Sequence, residues 1–200
     1  MASNNPIYQD HIFSAGELPT TIENTTFIHC EFCSLDLSEI QTIRCHFEQC
    51  NFRGAGLGSS VHKYSSFLNC DFDESNLFLA QFQETKMTGS SFLGANLAGM
   101  TIKGGDWSYT NFRNQKLSKM DLRGSIWREA DLYSVDLSGS KLQKADLRRA
   151  ILQHASLEKS NILGALTEGW DWSSIKLKET KMDLNQAIQF AEAFGAKVEV

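Results

Sequence analysis

Two hundred residues, 42% of them apolar, are enough for one folded domain with a sizeable core. No apolar run reaches the roughly 18 residues that a membrane-spanning helix needs. The odd count of five cysteines excludes a fully paired disulfide scaffold and fits a reducing compartment. The net charge of −5 is unevenly spread: residues 1–100 hold 11 Asp/Glu and 4 Lys/Arg, and residues 101–200 hold 13 and 15. Direct nucleic-acid binding is therefore disfavoured for the first half.

The chain opens with Met1-Ala2-Ser3-Asn4-Asn5-Pro6, which lacks the basic and apolar segments of a secretion signal, so a cytoplasmic location is expected. Residues 1–21 hold both prolines and read as an N-terminal cap. A repeat begins at Ile22. Stepping by five from Ile22 to Met182 gives 33 positions, of which 30 are apolar; the exceptions are Thr42, His62 and Thr167. Two residues before such a position the side chain is usually small, as at Cys30, Cys50, Ala80 and Ala145. One residue before it Asp or Asn is common, as at Asp71, Asn96 and Asp146.

A second period of 20 gives the shape. Leucine occupies 37, 57, 77, 97, 117, 137, 157 and 177, while Phe32, Phe52, Phe72, Phe92 and Phe112 form a parallel series. A third series runs Phe27, Phe47, Phe67, Met87, Trp107 and Trp127, and a fourth contains Ile22, Thr42, His62 and Phe82. Four distinct columns of pentads mean four sides per turn. The large residue and the small one point inward, and about eight coils at a strand spacing of about 4.8 Å make a rod of roughly 38 Å. Between Leu57 and Phe67 the segment 58–66 has the composition of a loop; either it projects, or His62 sits at an imperfect corner. No second interruption is visible from Phe67 to Ile162.

After Met182 the period becomes helical. Asp183 can cap a helix whose Leu184, Ala187, Ile188, Ala191 and Phe194 recur on one face, with Gly195 as its stop. Lys197 to Val200 alternates like a short strand. Apolar surface at the end of a solenoid has to be covered, either by its own last coil or by two-fold pairing with a second chain.

Sites for chemistry are not apparent. Cys30-x-x-Cys33, with His29, Cys45 and His46, has the composition of a zinc site, but the register turns Cys30 inward and Cys33 outward, so a tetrahedron cannot close. No cofactor is expected, and a smooth rod offers little concave space for a substrate.

The small–Asp/Asn–Leu/Phe unit, clearest at Ala95-Asn96-Leu97-Ala98-Gly99 and Ala145-Asp146-Leu147-Arg148-Arg149, is similar to the pentapeptide-repeat family over about 22–182. The resemblance implies an all-β chain, a right-handed quadrilateral β-helix. Residues 184–198 resemble the ending of the family's quinolone-resistance branch. That resemblance implies a homodimer joined tail to tail through 183–200, by Leu184, Ala187, Ile188, Ala191 and Phe194. It also implies binding to DNA gyrase, and to topoisomerase IV, with protection from quinolones or a natural gyrase poison.

A square coil with side chains is about 20 Å wide, near the width of a duplex, and the acidic half suggests DNA mimicry. The candidate contacts are Glu31, Asp36, Glu39, Glu48, Asp71, Asp73, Glu74 and Glu84, with Ser60, His62, Lys63 and Tyr64 from the 58–66 segment. The alternative is a passive protein-interaction scaffold with an unrelated partner.

Overall fold

The computed structural model describes residues 5–199. Nine short strands are present: β1 (Ile7–Gln9), β2 (Thr21–Glu23), β3 (Thr26–Ile28), β4 (Gln41–Ile43), β5 (His46–Glu48), β6 (Val61–Lys63), β7 (Ser66–Leu68), β8 (Gln81–Gln83) and β9 (Thr101–Lys103). They form two parallel sheets, ordered β1-β3-β5-β7 and β2-β4-β6-β8-β9. From β2 onward paired strand residues are 20 apart, as Ile22↔Thr42, Thr42↔His62 and His62↔Phe82. The longer sheet is five strands deep, fewer than the eight coils expected. Single bridges carry the same spacing onward, through Asp121↔Lys141 and Lys141↔Asn161 to Asn161↔Lys181.

The residue before each large inward side chain biases the choice between strand and bridged turn without fixing it, since Lys86, Ser91 and Ile126 also stand in bridged turns. Where it is Asp or Asn, its side chain accepts a hydrogen bond from the N–H two residues on: Asp36 from Ser38 (3.0 Å), Asn51 from Arg53 (3.0 Å), Asp71 from Asp73 (2.8 Å) and Asp131 from Tyr133 (3.1 Å). That local bond curls the backbone into a tight turn. In β2 to β9 it is Thr, Gln, Val, His or Ser, and there the backbone stays extended. From Asn24 to Gly169 every fifth residue is left-handed, for example His29 (φ 52°), Leu79 (φ 58°) and Lys119 (φ 64°). Such a conformation costs about 1–2 kcal/mol for an L-residue; the N–H it aims at the next coil offsets this, as Leu79 to Ala98 O at 3.0 Å.

Inside, like stacks on like. Phe27, Phe47 and Phe67 lie face to face at 4.6 and 4.5 Å, and Phe32, Phe52 and Phe72 at 4.6 and 4.8 Å. Trp107 and Trp127 continue one ladder at 5.3 Å. Stacked pairs of this kind contribute about 0.5–1.5 kcal/mol each beyond their burial. The leucine column is buried from Leu37 to Leu157, and Cys30, Cys50 and Cys70 fill small slots.

The structure corrects several expectations. Residues 58–66 do not project: they form an ordinary turn, β6 and the start of β7. His62 fits because its column is polar within. Nδ1 meets Thr42 Oγ1 at 2.8 Å, Nε2 meets Ser60 Oγ at 3.0 Å, and Thr42 Oγ1 donates to Ser65 Oγ at 3.2 Å. Its ring also stacks on Phe82 at 4.8 Å.

At the start, the segment read as a cap already belongs to the coil: β1 pairs with β3 at an offset of 19, and Phe13 stacks on Phe32 at 4.8 Å. Residues 1–4 of that cap lie outside the described residues. At the end, 196–199 form no strand, having no neighbouring strand with which to pair, and Val200 lies outside the described residues. The helix α1 (Leu184–Ala193) is capped by Asp183, whose carboxylate accepts from Gln186 N at 3.0 Å.

Candidate functional site

The sides of the coil can be numbered by their first pentads: side one at 21–24, side two at 26–29, side three at 31–34 and side four at 36–39. Sides one and three are opposite. The 20-residue register fixes which charges share a side. Side three carries Glu31, Asp71, Asp73, Glu74 and Asp131, with Asp171 at its far end, against Arg53 and Arg113. Side one carries seven cations, Arg44, Lys63, Lys103, Arg123, Lys141, Lys144 and Lys181, against Glu23, Glu84, Asp121 and Asp183. Sides two and four are nearly balanced. The charge asymmetry that reads from the sequence as front half against back half is, in the fold, also one side against the opposite side.

The twelve candidate contacts are therefore dispersed. Glu31, Asp71, Asp73 and Glu74 come together on side three. Asp36 and Glu39 lie on side four, Glu48 on side two, and Glu84 on side one beside Lys63 and Tyr64. Ser60 and His62 are a correction. Both are buried, at 0% and 1% exposure, and point into the coil, so neither can touch a partner. Burial pushes the His62 imidazole down to about 3, so the ring is neutral.

Side three is partly self-neutralised. Arg53 bonds Glu74 at 2.5 Å and lies 3.7 Å from Asp73, whose Oδ1 also accepts from Ser91 Oγ and Leu93 N at 2.6 and 2.8 Å. Arg113 pairs with Asp131 at 3.0 Å and lies 4.3 Å over the Tyr133 ring. The Arg148-Arg149 pair makes no open basic patch. Asp146 accepts from Arg148 Nε at 2.9 Å and is bonded by Arg128 as well, and these bonds hold its carboxyl down to about 2.

The terminal helix has two faces. Gln186 is buried, and its Nε2 donates to Ile162 O (2.8 Å), which also accepts from Ala165 N, and to Ala165 O (2.9 Å), a carbonyl the last coil would otherwise leave open. Thr167 Oγ1 reaches Gln189 at 3.0 Å. Leu184 and Phe194, by contrast, are 71% and 62% exposed, and Ala187, Ile188 and Ala191 are half-buried. One face thus closes the chain's own coil while an apolar edge stays open.

These features define a four-sided parallel solenoid that presents charged sides around a buried, largely apolar core. A sequence model described as Pentapeptide repeats (8 copies) matches residues 108–143 and 130–165. Residues 108–165 are thus similar to the pentapeptide-repeat family. The chain is 32% identical over 103 residues to the pentapeptide repeat protein MfpA of Mycobacterium tuberculosis, covering 49% of this chain and 56% of that one. It is also 32% identical over 94 residues to the quinolone resistance pentapeptide repeat protein QnrB96 of Scandinavium goeteborgense, covering 46% and 39%. The matched segments thus span about half the length of these relatives or less. Among solved structures, QnrB1, described as a plasmid-mediated fluoroquinolone resistance protein, superposes with a TM-score of 0.85 over 98% of both chains at 24% identity.

Proposed function

We propose that this protein is a non-catalytic rod that binds a type II topoisomerase, DNA gyrase first and topoisomerase IV second, and protects it from quinolones. In this reading it acts in the cytoplasm, as a homodimer joined through α1. The observation that carries the reading is the end-to-end correspondence with QnrB1, terminal helix included, joined to separate sequence similarity to a quinolone resistance protein.

Charge bears on the mechanism. Glu31 to Asp131 spans five coils, or roughly 24 Å at strand spacing, over which a duplex would carry about 14 phosphates. Side three offers five carboxylates over that span. It is the side best suited to a DNA-binding surface, at well under half of DNA's charge, so shape and the remaining contacts must supply the rest.

The test is gyrase supercoiling in the presence of ciprofloxacin with added purified protein. Rescue is expected, with weaker rescue by the Asp71→Asn/Glu74→Gln double variant. Neither rescue nor inhibition at any ratio would leave the passive scaffold as the better reading.

A further inference from the structure

Apart from side three at the last coil, where a 3-10 turn replaces the Ile151–Asp171 bridge, the described ladder between coils is broken at one level. Bridges join Asn76 to Asn96 and Lys116 to Asp136, but none joins Asn96 to Lys116. Likewise Gln81 pairs with Thr101 and Asp121 with Lys141, but Thr101 does not pair with Asp121. The hydrogen bonds go with the bridges. Leu77 N donates to Asn96 O at 2.9 Å and Leu117 N to Asp136 O at 2.8 Å, whereas the amides of Leu97, Gly99, Ile102 and Gly104 make no backbone bond to the next coil. The other two sides remain joined, through Asp106↔Ile126 and Asn111↔Asp131. The result is a seam on two adjacent sides, side four and the basic side one, opening a cleft of about 1450 Å³.

Three features of the sequence build this seam. The small slot at the corner between sides four and one holds Ser60 and Ala80, then Met100 and Met120, then Ser140 and Ser160. Two methionines in successive layers are too bulky for coils 4.8 Å apart and hold the corner open. At one end of the seam Gln115 occupies a slot that holds Ala95 and Ala155 in other coils. Its Nε2 donates to Phe92 O (2.6 Å) and Ala95 O (3.3 Å). Gln186 closes the terminal coil in the same way, so Gln115 finishes this edge as though the rod ended there. At the other end Gly104 and Gly105 are both left-handed (φ 66° and 87°), and a Cβ on Gly105 would lie 2.2 Å from Thr85 O.

The cleft thus presents a strand edge with four unpaired N–H donors, facing an edge whose Lys116, Ser118, Asp121 and Arg123 carbonyls accept no inter-coil bond. Unpaired edges of this kind are templates for an added strand. The lining is cationic: Lys86, Lys103, Lys116, Lys119 and Arg123 outnumber Glu84, Asp106 and Asp121, and Arg123 is engaged with Asp121 at 2.7 Å. We propose that the seam is a binding cleft for an extended acidic polypeptide segment, which adds as a strand to the Leu97–Gly104 edge with its carboxylates on Lys103, Lys116 and Lys119. This surface is separate from acidic side three and does not depend on the topoisomerase reading.

The probe is a fluorescein-labelled eight-residue peptide of alternating Val and Glu, with the Val-Lys peptide as control, followed by anisotropy and by amide hydrogen exchange on the full chain. In the free protein the amides of Leu97, Gly99, Ile102 and Gly104 should exchange at least about tenfold faster than those of Leu77 and Leu117. The Val-Glu peptide should bind and slow those same four amides. Lys103→Glu/Lys119→Glu, two exposed positions, should weaken binding about tenfold or more, while unfolding as the parent does. Met100→Ala/Met120→Ser should close the seam, protecting the amides without peptide and abolishing binding. Equal binding of the two peptides, protection of the four amides in the free protein, or protection appearing elsewhere would overturn the proposal. A single-stranded oligothymidine that protects the same amides and displaces the peptide would also overturn it, in favour of general anion binding.

Discussion

His62→Phe tests the polar interior directly. In the folded chain the His62 ring is wholly buried and its pKa falls to about 3, against an ordinary value of 6.5. The unfolded chain takes up a proton below pH 6.5 and the folded chain does not until about pH 3. Acid therefore favours unfolding throughout that window: the stability associated with the neutral ring is complete above pH 6.5 and is lost as pH falls. Each unit is worth about 1.4 kcal/mol, so about 3 kcal/mol goes by pH 4.5 and about 5 kcal/mol by pH 3.

Phenylalanine at 62 cannot titrate and would extend the stack with Phe82, but it leaves the Ser60 hydroxyl without its ring partner, a penalty of about 1–3 kcal/mol. Urea denaturation followed by tryptophan fluorescence, at fixed protein concentration from pH 4 to 7, gives the comparison. Every surface carboxylate titrates alike in both proteins and cancels in the difference. The variant should be the less stable at pH 7 and gain on the parent by about 1.4 kcal/mol per unit of acidification below pH 6. A stability difference independent of pH would show that His62 is hydrated or charged in the native state, and the buried network would be wrong.

Leu77→Ala, at a fully buried site in the leucine column, should cost about 2–5 kcal/mol in the same assay; a loss below about 1 kcal/mol would contradict stacked inward packing. Gln186→Ala should destabilise the last coil by about 1–3 kcal/mol, because it removes two hydrogen bonds and leaves the Ala165 carbonyl without a donor, without changing the sedimentation mass. Ile188→Asp should instead convert a dimer to a monomer, and an unchanged mass would reject dimerisation through α1. Asp146→Asn should lower stability at neutral pH by on the order of 1 kcal/mol and remove the part of the acid sensitivity that begins below the ordinary carboxylate value and ends near pH 2; identical acid profiles would show that the Arg128 and Arg148 bonds contribute nothing.

The repeat was legible because a solenoid converts one-dimensional spacing directly into stacking. Leu57, Leu77 and Leu97 are neighbours for the same reason that they are 20 apart. The Asp and Asn positions were visible too, although their reason, a side chain closing a turn onto the N–H two residues on, appears only with the backbone.

The segment 58–66 misled because Gly, Ser and His read as loop by composition, while inward hydroxyls at Ser60 and Ser65 and a hydroxyl at Thr42 make room for an imidazole. The seam was missed although its signals, Met100, Met120, Gln115 and Gly104-Gly105, stand in the chain. A test of the large positions alone passes over them, because they sit at or beside the small slots.

By itself, then, the sequence determined the coil: its period, its four columns, its inward and outward faces and the change of period at Asp183, since each follows from counting. Only the tertiary structure decided which charges act together, because a side is assembled from residues 20 apart and is acidic or basic as a stack. It also decided that the polar column is buried and hydrogen-bonded, that α1 spends one face on its own coil, and that two methionines open a seam. Those outcomes depend on volumes and hydrogen bonds between layers, which spacing does not contain.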